Sequence, residues 1–305
     1  MMNHELLNDC TLCPRNCHVN RNEGKAGYCR MTSELVVARA ALHMWEEPCI
    51  SGEKGSGAVF FSGCAMGCVF CQNHEIAKGQ RGETITVNRL SSIFLELQEK
   101  GANNINLVTP SHYVPQIIEA LDLAKEHGLE IPIVYNSSGY EKKETIALLE
   151  GYVDIYLPDF KYMDNKIAER YSHCPDYSKF AKETIIEMVR QTGKPQFFPD
   201  GIMKKGTIVR HLSLPGYLED SKDILDYLHD KFKNDLYISI MNQYTPLVTV
   251  EKYPEINRKV TLKEYDELIS YALMLGIKNA YTQEDETQDE SFIPDFDGEG
   301  VLKNK

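Results

Sequence analysis

The sequence predicts an α/β fold in which short strands alternate with amphipathic helices, and three observations lead to this prediction. Apolar runs of about five residues recur from residue 58 onward, and each is followed by a short polar segment. Helical patterns of apolar residues lie between these runs. Glycines such as Gly101, Gly128 and Gly276 stand where several helical patterns end, as is common at helix C-termini.

Local signals define each element in chain order. Pro110 stops the second strand, and Thr261 with Glu264 forms a capping box for the last helix. The roughly six or seven units are fewer than the eight of a closed barrel, and they fit an open doubly wound sheet or a barrel. We expect strands at residues 58–62, 105–109, 131–135, 153–157, 207–212, 237–241 and 278–282, and helices at 90–100, 114–127, 180–192 and 223–232, with others ending near 149 and 275.

Composition divides the chain into three parts. Residues 1–57 are cysteine-rich and look irregular, and the glycines of residues 52–57 indicate a linker. Residues 58–283 carry the alternating strands and helices. Residues 284–305 are acidic, and the charge pattern predicts a solvated tail. We expect Trp45, the only tryptophan, and His43 to pack within the N-terminal part.

Charge and hydropathy disfavour several classes of protein. A formal net charge of −12 makes the phosphate backbone of nucleic acid an unfavourable partner. The sequence has no apolar run long enough for a transmembrane helix, so we expect no membrane span. Its polar, acidic start lacks the features of a secretory signal. The predicted compartment is therefore the cytoplasm.

The cysteines carry the strongest chemical signal. Disulfides are rare in the cytoplasm, so close-set cysteines indicate metal binding or catalysis. Cys64, Cys68 and Cys71 lie in one loop directly after the first predicted strand. Thiolates favour iron–sulfur clusters, zinc and Cu(I). Three of them leave one iron of a four-iron cluster without a protein ligand, because no fourth cysteine is near in sequence. A zinc site completed by a distant histidine or cysteine is the alternative.

At these residues the sequence resembles the radical S-adenosylmethionine superfamily. Its signature has three cysteines at this spacing and an aromatic residue before the last one, as Phe70 is here. The continuation Cys71-Gln72-Asn73 is similar to that of enzymes that activate glycyl-radical enzymes. The resemblance to the pyruvate formate-lyase activating enzyme-like subfamily covers residues 58–283 and extends to the cysteines before residue 30. We expect Phe70 and Asn73 to contact the cofactor.

The resemblance implies a partial (β/α)6 barrel with a [4Fe–4S] cluster on Cys64, Cys68 and Cys71. It implies that the open iron binds the amino and carboxylate groups of S-adenosylmethionine. One electron then cleaves a carbon–sulfur bond and gives methionine and a 5′-deoxyadenosyl radical, which abstracts hydrogen from a substrate. The family also implies an electron donor such as flavodoxin or ferredoxin.

One stretch departs from the family pattern. The family usually has glycine-glycine-glutamate after the second strand, where it receives the amino group of the cofactor. This chain has Thr109, Pro110 and Ser111 there. We expect Thr109, Ser111 or backbone carbonyls to take the role, because an ammonium group needs only oxygen acceptors. His112 is either a substrate contact or an ordinary loop histidine.

Polar residues after the next two strands complete the predicted cofactor site. Asn136 and Ser138 suit a ribose or a carboxylate, and a plain polar turn is the alternative. Asp159 and Lys161 are similar to the Asp-x-Lys of activating enzymes, which implies that Lys161 pairs with the cofactor carboxylate. A simple ion pair between Asp159 and Lys161 is the alternative.

A second cysteine group precedes the predicted core. Cys10, Cys13, Cys17 and Cys29 place four thiolates within twenty residues, which is enough to close a coordination sphere. We expect a metal there, with structural zinc and a second iron–sulfur cluster as open alternatives. A cluster could relay an electron or hold a substrate, whereas zinc would only fold the segment.

Three functions remain open at this point. The first is a radical enzyme that acts on a protein or peptide, such as a glycine in a partner enzyme. The second is a radical enzyme with the same cofactors that acts on a small metabolite. The third is a zinc-stabilised binding module without catalysis, which only the N-terminal cysteines support. We favour a radical enzyme, because the loop of Cys64, Cys68 and Cys71 supports both of the first two.

Overall fold

Ten strands form the framework of the described part of the protein. The computed structural model describes residues 2–283 and 294–303. All ten strands belong to one sheet. In chain order they are β1 (Leu35–His43), β2 (Ser56–Phe61), β3 (Glu83–Ile85), β4 (Ile105–Val108), β5 (Ile133–Ser137), β6 (Ile155–Pro158), β7 (Gln196–Phe197), β8 (Met203–Leu212), β9 (Tyr237–Met241) and β10 (Ala280–Thr282).

The sheet is mostly parallel, and its parallel strands follow one another in chain order. The strand order is β10-β9-β8-β6-β5-β4-β2-β1-β3, and β7 is hydrogen-bonded to β8. Strands from β2 to β10 along this path pair in parallel, whereas β1 pairs antiparallel with β2 and β3. Among the described residues the sheet stays open between β3 and β10. The predicted α/β fold of the partial-barrel type is confirmed.

Helices connect the parallel strands. Thr261 caps the last helix in the predicted capping box with Glu264. No helix of the described residues combines the length and the apolar character needed to cross a membrane. The helices are α1 (Pro48–Ser51), α2 (His74–Ala77), α3 (Val87–Glu99), α4 (Val114–Glu126), α5 (Lys143–Ala147), α6 (Asn165–Ser172), α7 (Tyr177–Thr192), α8 (Leu218–Phe232) and α9 (Leu262–Leu275).

Apolar packing places the cysteine loop inside the core. On one side of the sheet, α3 and α4 bury Phe94 and Ile117 against the strands, and each such side chain stabilises the fold by about 2 kcal/mol. A second cluster contains Met66 and Phe70 of the cysteine loop together with Tyr171 of α6. The loop is therefore held by apolar contacts on the side of α6 to α9.

The prediction that the first 57 residues are irregular is wrong for β1. Ala41 of β1 lies opposite Ala58 of β2, so this strand belongs to the same sheet as the predicted core. The predicted boundary after residue 57 falls inside β2. A Cβ on Gly57 would lie 2.8 Å from the carbonyl oxygen of Asn104. Glycine at this position therefore permits close packing of the strands, and the prediction of a linker is wrong for Gly57.

Part of the predicted solvated tail packs on β1, although its acidic side chains in residues 294–303 are exposed, and residues 284–293 and 304–305 lie outside the described residues. The backbone N–H of Ala40 donates to Glu299 O at 2.8 Å, and Val301 is fully buried. Arg39 of β1 forms ion pairs with Asp297 and Glu299. Two acidic residues of this segment therefore pair with a basic residue of β1, which the charge pattern alone could not show.

Candidate active site

A cavity of about 260 Å³ lies at the carboxyl ends of the parallel strands. The segments that follow β2, β4, β5, β6 and β9 all contribute to its lining. Most residues that the sequence predicted for the cofactor site face it. These are Cys64, Cys68, Phe70, Cys71, Asn73, Thr109, Asn136, Ser138, Asp159 and Lys161.

The cysteine loop leaves β2 through a glycine that no other residue could replace without strain. Gly63 has φ +91°, and a Cβ there would lie 2.4 Å from Met31 Cγ and 2.8 Å from the carbonyl oxygen of Cys29. The loop therefore presses directly on the N-terminal cysteine segment. Farther along, the N–H of Val69 donates to Tyr171 O of α6 at 2.9 Å. The loop is thus seated between these two segments.

Three free thiols of this loop line the cavity. Burial raises the pKa of all three thiols, and that of Cys71 rises to about 12. Mutual repulsion adds to the effect for Cys64 and Cys71, while the ammonium group of Lys161 lowers each pKa. Thiolates here therefore need more positive charge than the chain supplies, as iron would provide. No other cysteine of the described residues lines the cavity, so these residues fit a cluster with one open iron.

Behind the thiols lies a network of buried charges. Lys161 Nζ donates to Asp159 Oδ2 at 2.5 Å, and Arg210 Nε donates to Asp159 Oδ1 at 2.9 Å. Arg210 also pairs with Glu46 at 3.3 Å and donates to Asn136 Oδ1 at 2.6 Å. Burial alone would raise the pKa of Asp159, but the two cations hold it below its usual value. Asp159 is therefore ionised and fixes the position of Lys161.

A tyrosine and a glycine align the loops after β5 and β6. Tyr177 OH lies 2.8 Å from Ser138 O and 3.0 Å from Asp159 O, and it accepts the N–H of Lys161 at 2.9 Å. A Cβ on Gly139 would lie 2.1 Å from Asp159 O. The close approach of these two loops brings Ser138 and Lys161 to the same cavity.

Thr109 has an unusual backbone for a β-branched residue. Its φ is +59°, in the left-handed region that favours glycine, and its N–H donates to Asn136 O at 2.9 Å. The backbone thus adopts a conformation suited to glycine at the position where the family pattern has glycine. Such a conformation costs about 1–3 kcal/mol and is often retained at functional sites.

Two residues considered from the sequence, Ser111 and His112, do not line the cavity. Ser111 is buried and donates to the carboxylate of Glu141 instead. His112 is buried against Ser62 O at 2.7 Å, and burial, with Arg21 nearby, lowers its pKa to about 3. The 3-10 turn after β4 rotates Ser111 and His112 away from the cavity, which strand periodicity could not show.

Sequence reasoning missed two cavity residues on the segment after β1. Glu46 is almost fully buried there, and its carboxylate accepts from Asn106 at 3.0 Å and from Asn136 at 3.2 Å. Burial raises the pKa of Glu46. Trp45 is 63% exposed at the cavity rim, so the prediction that it packs the N-terminal part is wrong. Neither residue lies in a recognisable motif, and only the pairing of β1 brings them to the cavity.

The N-terminal cysteines lie on the other side of the cysteine loop, and none of them lines the cavity. The sulfur atoms of Cys17 and Cys29 flank Gly27, at 3.3 and 3.8 Å from where its Cβ would be. The buried guanidinium of Arg21 lies 3.9 Å from Cys10 Sγ. Burial raises the pKa of Cys29, and the charge of Arg21 opposes this.

Neither cysteine group has the geometry of a preformed site for a single ion. All nine cysteines are free thiols. Among the described residues, no group of three or more histidine, cysteine or acidic side chains is arranged to hold a metal ion. A single zinc would need sulfur atoms about 2.3 Å from one common point, whereas a four-iron cluster spreads its ligands over separate iron atoms.

The fold and the cavity define an α/β protein that presents three thiols at the carboxyl ends of its parallel strands. The sequence model of the Radical SAM superfamily matches residues 58–244, which is more than half of the chain, and the protein belongs to this superfamily. Membership makes the chain a radical enzyme and implies a [4Fe–4S] cluster and S-adenosylmethionine as its cofactors. It favours both enzymatic hypotheses over the non-catalytic module.

Two relatives agree with the predicted subfamily. The uncharacterised protein MJ0674 of Methanocaldococcus jannaschii is 29% identical over 276 residues, which are 88% of this chain and 75% of that protein. The pyruvate formate-lyase-activating enzyme of Clostridium pasteurianum is 23% identical over 221 residues, which are 69% of this chain and 83% of that protein. The resemblance predicted from the cysteine loop is confirmed.

Solved structures share the fold. SuiB of Streptococcus suis bound to S-adenosylmethionine is similar with a TM-score of 0.51 at 17% identity, over 73% of this chain and 49% of SuiB. HydG, a maturase of the [FeFe]-hydrogenase, has a TM-score of 0.51 at 14% identity, over 78% of this chain and 53% of HydG. This chain therefore spans about half the length of these two structures.

The strain at Thr109 gives a testable prediction. We expect Thr109→Gly to raise the free energy of unfolding by about 1 kcal/mol, because relief of about 1–3 kcal/mol of strain exceeds the entropy cost of glycine. Urea unfolding under anaerobic conditions measures the change. Thr109→Ala should fall between wild type and the glycine variant. A glycine variant less stable than the alanine variant would show that Thr109 is not strained.

Proposed function

We propose that this chain reductively cleaves S-adenosylmethionine at a [4Fe–4S] cluster held by Cys64, Cys68 and Cys71, and uses the 5′-deoxyadenosyl radical to take hydrogen from a substrate. One observation carries the proposal. The three thiols of one loop face the cavity, and no other described cysteine does. A low-potential electron donor such as flavodoxin or ferredoxin would supply the electron.

The residues around the thiols have roles that follow from their positions. The ammonium group of Lys161, held by Asp159, provides a fixed positive charge for the cofactor carboxylate. Asn136 and Ser138 offer an amide and a hydroxyl to the ribose. Phe70 packs edge-to-face on Tyr244 at 5.6 Å and keeps water from the thiols. Asn73 also lines the cavity and is available to the cofactor.

The first test is removal of one proposed cluster ligand. Cys68→Ala should lower the formation of 5′-deoxyadenosine by more than about a hundredfold. Loss of an outer-shell partner of a metal site already lowers activity by about 10- to 100-fold, and loss of a ligand should lower it further. The measurement is an anaerobic cleavage assay with dithionite as reductant. Cys49→Ala is the matched control, because Cys49 is buried away from the cavity. Equal cleavage by the wild type and by Cys68→Ala would refute the proposal.

We further propose that the substrate is a protein segment such as a glycine loop of a partner enzyme. Trp45 at the rim of the cavity is 63% exposed, and the neighbouring Met44 is 43% exposed. A large exposed aromatic side chain at the mouth of a reactive cavity suits recognition of a polypeptide. The similarity to the activating enzyme of Clostridium pasteurianum supports the same substrate class.

The substrate class can be tested with candidate glycyl-radical enzymes. We expect a glycyl radical in electron paramagnetic resonance after anaerobic co-incubation with the right partner. Trp45→Ala should lower the yield of this radical about tenfold, as expected for a central aromatic contact. Leu273→Ala, which removes an exposed residue on α9, should have no effect. If 5′-deoxyadenosine accumulates and no partner acquires a radical, a small metabolite becomes the better hypothesis.

We also propose that Cys10, Cys13, Cys17 and Cys29 hold a metal group. Cys17 and Cys29 flank one glycine, and Arg21 supplies a buried positive charge beside Cys10 and Cys29. Four thiols with a buried cation favour the thiolate form that metals require. Zinc and a second iron–sulfur cluster remain alternatives at this site.

Metal analysis of anaerobically purified protein separates these alternatives. Zinc at this site predicts about one zinc and four iron atoms per chain, whereas a second cluster predicts about eight iron atoms. In either case Cys17→Ala should lose only the additional metal and keep the signal of the cluster on Cys64, Cys68 and Cys71. Identical metal content in the wild type and in Cys17→Ala would show that the N-terminal cysteines bind no metal.

A further inference from the structure

The C-terminal end of α6 lies directly behind Cys68. The N–H of Val69 donates to Tyr171 O at 2.9 Å, and the hydroxyl of Ser172 donates to Cys68 Sγ at 2.9 Å. His173, which follows, ends the helix in the left-handed region at φ +54°. The helix thus ends where its last side chain meets a thiol of the cysteine loop.

The hydroxyl of Ser172 has one defined orientation. Ser172 is fully buried, and its oxygen lies 2.7 Å from the hydroxyl of Tyr162, which is also fully buried. A serine hydroxyl has one proton, and Ser172 directs that proton at Cys68. The Ser172 oxygen therefore accepts a hydrogen bond from the Tyr162 hydroxyl, which polarises the Ser172 hydroxyl and strengthens its donation to the thiol.

The backbone that carries Ser172 is fixed from the N-terminal segment. Cys174 Sγ donates to Ser172 O at 3.0 Å, and Arg15 donates to Cys174 Sγ at 3.1 Å. The same guanidinium donates to Ala65 O of the cysteine loop at 2.8 Å. Arg15 therefore holds the loop and the end of α6 at a constant separation, so the contact between Ser172 and Cys68 does not depend on one hydrogen bond alone.

The three thiols of the cysteine loop accept hydrogen bonds from different kinds of donor. Cys64 Sγ accepts a backbone N–H from Met66 at 3.4 Å, and the hydrogen bond that lowers the pKa of Cys71 comes from the backbone of Asn73. Within the described residues, Cys68 alone among the three receives a hydrogen bond from a side-chain hydroxyl. The donor at Cys68 can therefore be removed by substitution without a change in the backbone.

We propose that Ser172 sets the reduction potential of the cluster through its hydrogen bond to Cys68, with Tyr162 as the residue that orients it. The inference rests on the proposed function, because it requires the cluster on these three cysteines. Reduction adds one electron, supplied by an external donor, and increases negative charge on the sulfur ligands. A hydroxyl that donates to Cys68 stabilises this form and raises the potential. Ser172 acts through Cys68 and is a positioning residue.

The test is a redox titration of the anaerobically reconstituted full-length protein, with dithionite as reductant and electron paramagnetic resonance as readout. The cluster signal is identified by its absence in Cys68→Ala. We expect Ser172→Ala to shift the midpoint potential to a more negative value, and Tyr162→Phe to shift it less in the same direction. Ser178→Ala is the control, because Ser178 is a buried serine that contacts Met163 instead of the loop.

The outcomes separate this inference from the proposed function. If the wild type shows no reducible cluster that depends on Cys68, the proposed function fails. If the wild type titrates and Ser172→Ala has the same midpoint with the same iron content, only the role of Ser172 is overturned. Should Ser172→Ala lose the cluster, Tyr162→Phe decides, since this variant keeps the serine. A negative shift in Tyr162→Phe supports the inference, and an unchanged midpoint overturns it.

Discussion

The whole site depends on the clamping of one loop between two segments that are distant in sequence. Arg15 donates to Ala65 O in the loop and to Cys174 beyond α6, so one guanidinium joins three parts of the chain. The same guanidinium stacks on Tyr28 at 3.8 Å, which restricts its motion. A loop that presents three thiols to one cluster must keep their spacing before the metal arrives. This clamp supplies that rigidity from outside the loop.

A second constraint is the charge balance beneath the thiols. Glu46, Asp159, Lys161 and Arg210 are all largely buried, and a buried charge without a partner would be strongly destabilising. Arg210 satisfies both carboxylates, and this leaves Asp159 free to hold Lys161 with its other oxygen. Removing Arg210 would therefore disturb the position of Lys161 as well as the charge. The ladder between β6 and β8 has only two residue pairs, and Asp159 and Arg210 of the network connect the two chain segments beyond it.

The sequence predicted the parallel strands and the cysteine loop because both have local signals. The parallel strands β2, β4, β5, β6, β8 and β9 contain short apolar runs followed by polar segments, and Cys64, Cys68 and Cys71 have a diagnostic spacing. Glu46 and Trp45 have no such signal, because they reach the cavity only through the pairing of β1 with β2. The contact of Ser172 with Cys68 spans 104 residues and arises from tertiary packing. Local patterns predict elements and motifs, and they do not predict contacts between elements that are distant in sequence.

The departure from glycine-glycine-glutamate after β4 limits how the amino group of the cofactor can be received. Ser111 is committed to Glu141, and both oxygens of Glu46 are already bonded to Asn106, Asn136 and Arg210. Three of the roughly four acceptor positions of the Glu46 carboxylate are therefore already filled. Thr109 keeps the backbone conformation of the missing glycine and lines the cavity. The expectation that Thr109 or nearby backbone carbonyls receive the ammonium group is compatible with this geometry, because carbonyl oxygens suffice as acceptors.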